Sequence, residues 1–216
     1  MCSADESKDG GSPLRAGVTR RGFLKGAGLS AASATLLQSG LMGVRQAAAA
    51  DPNAGVHGPG AVPVTLRVNG RERQIAIEPR TTLAAALRDQ LELTGTKIVC
   101  DRGACSACTV FLDGTPVCSC MTLAIEVGER EVTTVEGIAG DKDLHPVQAA
   151  FIECDASMCG FCTPGMVMSC AALLKRTPQP SIDEIKTAVS GNLCRCGTYP
   201  KIFEAVATAA KKGAAA

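Results

Sequence analysis

The chain has 216 residues, with 22 Lys and Arg against 21 Asp and Glu and a formal net charge of +1. It has no long run of like charge, so no nucleic-acid partner is expected. Aromatic residues make up only 3% and Trp is absent; one or two small domains so poor in large side chains need stabilisation beyond their cores, and the twelve cysteines are the obvious source.

Residues 1–50 carry 6 basic and 3 acidic residues, which leaves 16 and 18 for the remainder, a net of −2. Thr19-Arg20-Arg21-Gly22-Phe23-Leu24-Lys25 reads as a twin-arginine export signal. The uncharged stretch Gly26–Val44 is diluted by Gly, Ser, Thr and Gln, and Ala47-x-Ala49 suits a signal peptidase. A cleaved twin-arginine signal peptide over 1–50 and a periplasmic location are expected, with membrane attachment only where the signal stays uncleaved. Residues 51–61 form a Gly/Pro-rich linker, and His57 within it reads as a solvated residue.

A first domain is expected over 62–136. Val64–Val68 alternates as a strand, Asn69-Gly70 is a hairpin turn, and Arg73–Ile77 returns. Leu83, Leu87 and Leu91 place a helix over Thr82–Leu91, with Thr81 or Thr82 as N-cap. A second hairpin, Thr109–Leu112 with Thr115–Cys118, turns at Asp113-Gly114, and Glu131–Val135 closes the sheet. The loop between holds Cys100, Cys105 and Cys108 at the C-x4-C-x2-C spacing of plant-type [2Fe–2S] sites. Small residues fill it, which lets backbone N–H groups approach a cluster. Cys118 and Cys120, on the same face of an extended strand, are both available as a fourth ligand.

The period turns helical over a second domain, 144–212. Pro146 opens a helix to about Asp155, with His145 contacting backbone at its start. Thr163-Pro164 opens the next, ending near Arg176. Ser181-Ile182-Asp183-Glu184 is a capping box for a third, ended by Gly191, and Pro200 opens a fourth. The pattern predicts a four-helix bundle. Cys159-Gly160-Phe161-Cys162 and Cys194-Arg195-Cys196 lie in loops between these helices. Two close pairs of soft thiolates are what an iron–sulfur cluster needs. A disulfide within C-x-C is strained, and the x4-then-x2 spacing is unusual for zinc. Cys154 and Cys170 read as small core residues.

Five motifs carry a resemblance: Gly95-Thr96-Lys97, Cys105-Ser106-Ala107-Cys108-Thr109-Val110, Leu144-His145-Pro146-Val147-Gln148, Cys159-Gly160-Phe161-Cys162-Thr163-Pro164-Gly165 and Gly191-Asn192-Leu193-Cys194-Arg195-Cys196. In this order they resemble the small iron–sulfur subunit of the molybdenum hydroxylases, which include xanthine dehydrogenases and aldehyde oxidoreductases. The resemblance, from about Val64 to about Ala210, implies an α+β fold: a plant-type ferredoxin β-grasp, then a four-helix bundle. It implies two [2Fe–2S] clusters, held by Cys100, Cys105, Cys108 and Cys120 and by Cys159, Cys162, Cys194 and Cys196. It also implies an electron-transfer subunit with no catalytic residue of its own. The implied partners are a large molybdopterin-binding subunit and, as acceptor, an FAD subunit or a cytochrome, with Cys196 nearest the pterin. Cys118 is then a spare thiol. The chain departs from the family at Ser106, where Gly is usual, and at Met158, where many relatives have Gln. A free-standing ferredoxin-like carrier is the alternative, against which the helical docking module counts.

Overall fold

Val62–Val68 (β1) alternates between exposed positions and half-buried or buried ones, the last of them buried Leu66 and Val68. Asn69 and Gly70 both take positive φ, 51° and 72°, the conformation of a two-residue type I′ turn. The chain therefore returns at once as Arg71–Ile77 (β2), with Val68 opposite Arg71. Asp113 and Gly114 repeat the device at φ 50° and 77° between Thr109–Leu112 (β3) and Thr115–Cys118 (β4). Glu131–Thr133 (β5) lies between the two hairpins, parallel to β1 and antiparallel to β3, giving the order β2-β1-β5-β3-β4. The computed structural model from which these elements are read describes residues 58–140 and 143–213. The expected export signal, the linker as far as residue 57 and His57 lie outside the described residues.

The helix expected over Thr82–Leu91 is divided. Thr82 caps it by accepting from the Ala85 N–H at 3.2 Å, but only Leu83–Ala85 (α1) is α-helical and Ala86–Gln90 is a π turn. The Leu91 N–H reaches Ala86 O at 3.2 Å, one residue further back than in an α-helix. The cause is tertiary. Leu83 and Leu87 are fully buried against Leu66, Val110 and Val132, while the chain must turn out toward the cysteine loop. Arg88 Nη1 holds that exit by donating to Thr94 O at 2.8 Å and Thr96 O at 2.7 Å.

Four further helices follow: Pro146–Glu153 (α2), Thr163–Arg176 (α3), Ile182–Val189 (α4) and Tyr199–Lys211 (α5). His145 caps α2, its Nδ1 accepting from the Val147 N–H at 3.2 Å while Gln148 reaches back to the His145 N–H at 2.9 Å. Ser181 and Glu184 form the expected box at α4. Gly191 is not a left-handed cap, since its φ lies outside that region, and α4 ends two residues earlier at Val189. The helices bury Val147, Phe151, Met166, Leu174, Ile185, Ile202 and Val206 in one core, and Cys154 and Cys170 fall in it as expected. Each fully buried Leu, Ile, Phe or Met contributes roughly 1.5–3 kcal/mol. The fold is thus α+β, a mixed sheet with helices.

The sheet and the helices are tied together on purpose-built contacts. Phe111 of β3 packs on the helical core. Gly165, in the first turn of α3, sits directly under Ser106: a Cβ there would stand 2.1 Å from Ser106 O and 3.0 Å from Ala107 Cα.

Candidate metal centres

The thiols gather in twos. Cys100 is within hydrogen-bonding reach of Cys105, and Cys108 of Cys120. In the helical half Cys162 pairs with Cys194, and Cys159 with Cys196. Charges on Cys100 and Cys108 act on Cys120, and those on Cys194 and Cys159 act on Cys162, so each set of four is a single neighbourhood. Among the described residues, no three His, Cys, Asp or Glu side chains converge on one ion position. A tetrahedral zinc site draws its ligands onto one centre; a two-iron cluster takes two thiolates at each iron, joined by bridging sulfides. Paired thiols fit the second pattern. All eight are free thiols in this structure.

Backbone donors are already in place. The Gly103 N–H donates to Cys120 Sγ and the Ala104 N–H to Cys100 Sγ, both at 3.3 Å. The Arg102 amide, and then the Cys105 thiol beside it, bring Cys100 down to about 7. Burial works against ionisation of Cys194, but the hydroxyl of Thr198, 3.0 Å away, and the Thr198 amide outweigh it and bring it to about 7. Burial pushes Cys120 up to about 11 and Cys162 up to about 12, each reinforced by its paired thiol. Donors that stabilise a bare thiolate equally stabilise a ligating one and any charge added to its cluster.

Cys118 and Cys120 do not share a strand face. The strand ends at Cys118, and Ser119–Met121 is a 3₁₀ turn. That turn carries Cys120 inward against Cys108 and Ala84, 5% exposed. Cys118 Sγ instead lies 3.8 Å from Ser106 Oγ and 3.9 Å from Gly103 O, and pairs with no thiol. Ser106 does adopt positive φ, 54°, at a cost of about 1–2 kcal/mol for a residue with a Cβ. Its carbonyl offsets that by accepting from Thr109 Oγ1 at 2.7 Å and Asn192 Nδ2 at 3.3 Å, and its hydroxyl lies 3.8 Å from Cys118 Sγ. Cys170 is fully buried, and burial alone holds it up to about 12.

Reading by spacing missed what joins the two sets. The Leu193 N–H donates to Cys105 O at 3.1 Å, so the residue before one candidate ligand bonds the carbonyl of another. Tyr199 OH donates to Asn192 O and accepts from the Cys194 N–H, each at 2.9 Å. Asn192 and Gly165 stood inside recognised motifs, but nothing local to them marked a contact across the chain.

Residues 66–138 match the family described as 2Fe-2S iron-sulfur cluster binding domain, and residues 134–207 the family described as [2Fe-2S] binding domain. The aldehyde oxidoreductase iron-sulfur-binding subunit PaoA of Escherichia coli K12 is 39% identical over 208 residues, covering 89% of this chain and 88% of that one. The nicotine 6-hydroxylase small subunit of Paenarthrobacter nicotinovorans is 47% identical over 145 residues, 67% of this chain and 87% of that one. The crystal structure of quinoline 2-oxidoreductase from Pseudomonas putida 86 superposes with a TM-score of 0.67 at 41% identity, covering 71% of this chain and 98% of the matched chain. With two cluster-binding domains in tandem and relatives of this length and identity, the chain belongs to the family of small [2Fe–2S] iron–sulfur subunits of the molybdenum hydroxylases, the electron-transfer subunits of these oxidoreductases.

Proposed function

We propose that the chain relays electrons, in the periplasm, from a large molybdopterin-binding subunit to FAD on a third subunit or to a cytochrome. In this reading the sheet half is a ferredoxin β-grasp over 62–136 and the helical half a four-helix bundle over 144–212. Cys159, Cys162, Cys194 and Cys196 hold the cluster on the molybdenum side, with Cys196 as the point of entry for electrons. Cys100, Cys105, Cys108 and Cys120 hold the outward one. The clusters supply one-electron chemistry; this chain's residues hold them, donate N–H bonds to their ligands and set them side by side. The substrate class, an aldehyde or a nitrogen heterocycle, follows the relatives and is dealt with entirely by the large subunit.

One observation carries the reading. The large hydrophobic residues that stay exposed are concentrated at the thiols: Val99 and Met121 adjoin Cys100 and Cys120, and Met158, Phe161 and Leu193 adjoin Cys159, Cys162 and Cys194, all between 55% and 70% exposed. Exposed apolar residues in clusters mark contact surfaces. Two such rims, one at each set of thiols, suit a carrier held between two partners better than a diffusing one. An apolar groove lined by Leu144, Phe151, Ile152 and Val167 reaches Gly160, inside the Cys159–Cys162 loop, and extends the second rim.

The purified chain alone should take up electrons from dithionite and oxidise no aldehyde, purine or quinoline; oxidation should begin only on co-expression with a large molybdenum subunit. Turnover by the isolated chain would end this proposal. Export is a separate matter. Among the described residues no helix is long and apolar enough to cross a membrane. Replacing Arg20 and Arg21 by Lys should strand the cluster-loaded protein in the cytoplasm, and holoprotein still found in the periplasm after that change would refute the twin-arginine reading.

A further inference from the structure

A single backbone bond, Leu193 N–H to Cys105 O, crosses between the two cysteine loops. One such bond is a weak constraint, and on its far side the loop carrying Leu193 turns through Gly197 at φ 81°. Side chains hold it instead. Asn192 is 3% exposed and places Nδ2 3.3 Å from Ser106 O, in the loop between Cys105 and Cys108. Tyr199, the chain's one tyrosine, closes the loop on itself through its two bonds at 2.9 Å to Asn192 O and the Cys194 N–H. Its ring stands at the start of α5, a rigid element, with Phe203 6.3 Å away. On the opposite side Ser106 is fixed by Thr109 Oγ1 at 2.7 Å. None of these bonds from Asn192 or Tyr199 touches a candidate ligand sulfur. They act on the main chain of one ligand loop and reach across to the other.

We propose that Asn192 and Tyr199 are positioning residues that latch the two ligand loops together and thereby set the spacing and orientation of the two clusters, on which electron passage between them depends. The latch rests on the two-cluster relay proposed above. A residue that merely helps build the second site would, when altered, cost that site its iron. A latch would leave both sites loaded and change how they communicate.

The test uses the full chain in its complex, unmodified and as Tyr199→Phe, Asn192→Ala and Phe203→Leu. In the first two variants iron content and the two reduced-cluster EPR signals should be retained. The magnetic splitting between those signals should shift or be lost, and rapid-freeze kinetics should show slower electron passage from the second site to the first. Phe203→Leu removes a ring contact but no hydrogen bond, and should leave the splitting as it was. Unchanged splitting in both latch variants would overturn the proposal. So would loss of second-site iron in both, or an equal change in Phe203→Leu. Absence of two signals in the unmodified chain would sink the relay itself, a different failure from an unchanged splitting.

Discussion

Gly165→Ala should destabilise the protein by about 3 kcal/mol and lower the thermal midpoint by roughly 10 °C. By helix propensity alone the change should help, since Gly costs about 1 kcal/mol relative to Ala inside a helix. Space decides the sign. The added Cβ would lie 2.1 Å from Ser106 O and 3.0 Å from both Ser106 C and Ala107 Cα. These are backbone atoms, so no rotamer can move aside, and α3 must back away from the loop that carries Cys105 and Cys108. The first cluster's signal should broaden in the same variant. Gly191→Ala is the matched comparison at the same junction: its Cβ would meet only Ser106 Oγ, at an ordinary 3.7 Å, and the midpoint should stay within about 2 °C, the shift expected of a change worth no more than 0.5 kcal/mol. Equal midpoints for Gly165→Ala and the unmodified protein would mean that helix and loop are not in contact.

The second large effect separates two cysteines that lie two residues apart. Cys120→Ser should remove one of the two clusters, leaving half the iron and one of the two EPR signals, because Cys120 is the thiol that pairs with Cys108 and receives the Gly103 N–H. Cys118→Ser should keep all the iron and both signals. Its sulfur makes its polar contacts with Ser106 Oγ and Gly103 O, and a serine hydroxyl can make comparable ones. Iron lost from Cys118→Ser and kept in Cys120→Ser would reverse the assignment.

The parts that were legible in the sequence are those decided within a few residues. Asn69-Gly70 and Asp113-Gly114 could be read as turns because two successive positive-φ positions admit few residue types. His145-Pro146 and Ser181 with Glu184 could be read as helix starts because a cap is a three-residue device. The grouping of the thiols followed from short spacings and from resemblance. What escaped depends on distant partners. β5 lies between β1 and β3 by long-range pairing, and its Glu131 and Thr133 bear no mark of that. The π turn at Ala86–Gln90 arises where Arg88 must reach the Thr94 and Thr96 carbonyls, a demand that the Leu83-Leu87-Leu91 pattern does not express. Expecting Cys118 and Cys120 to share a face assumed an extended strand, and the 3₁₀ turn at Ser119–Met121 rotates them apart. Gly165 and Asn192 fall under the same heading, since the partner of each, Ser106, is far away in the chain.

Two complete sets of paired thiols in one short chain are the core of this description, and counting their contents tests it most directly. The purified holoprotein, reduced with dithionite, should contain four irons and four acid-labile sulfides per chain and give two distinguishable rhombic EPR signals that together integrate to two spins. One rhombic signal integrating to a single spin, with half that iron, would contradict it.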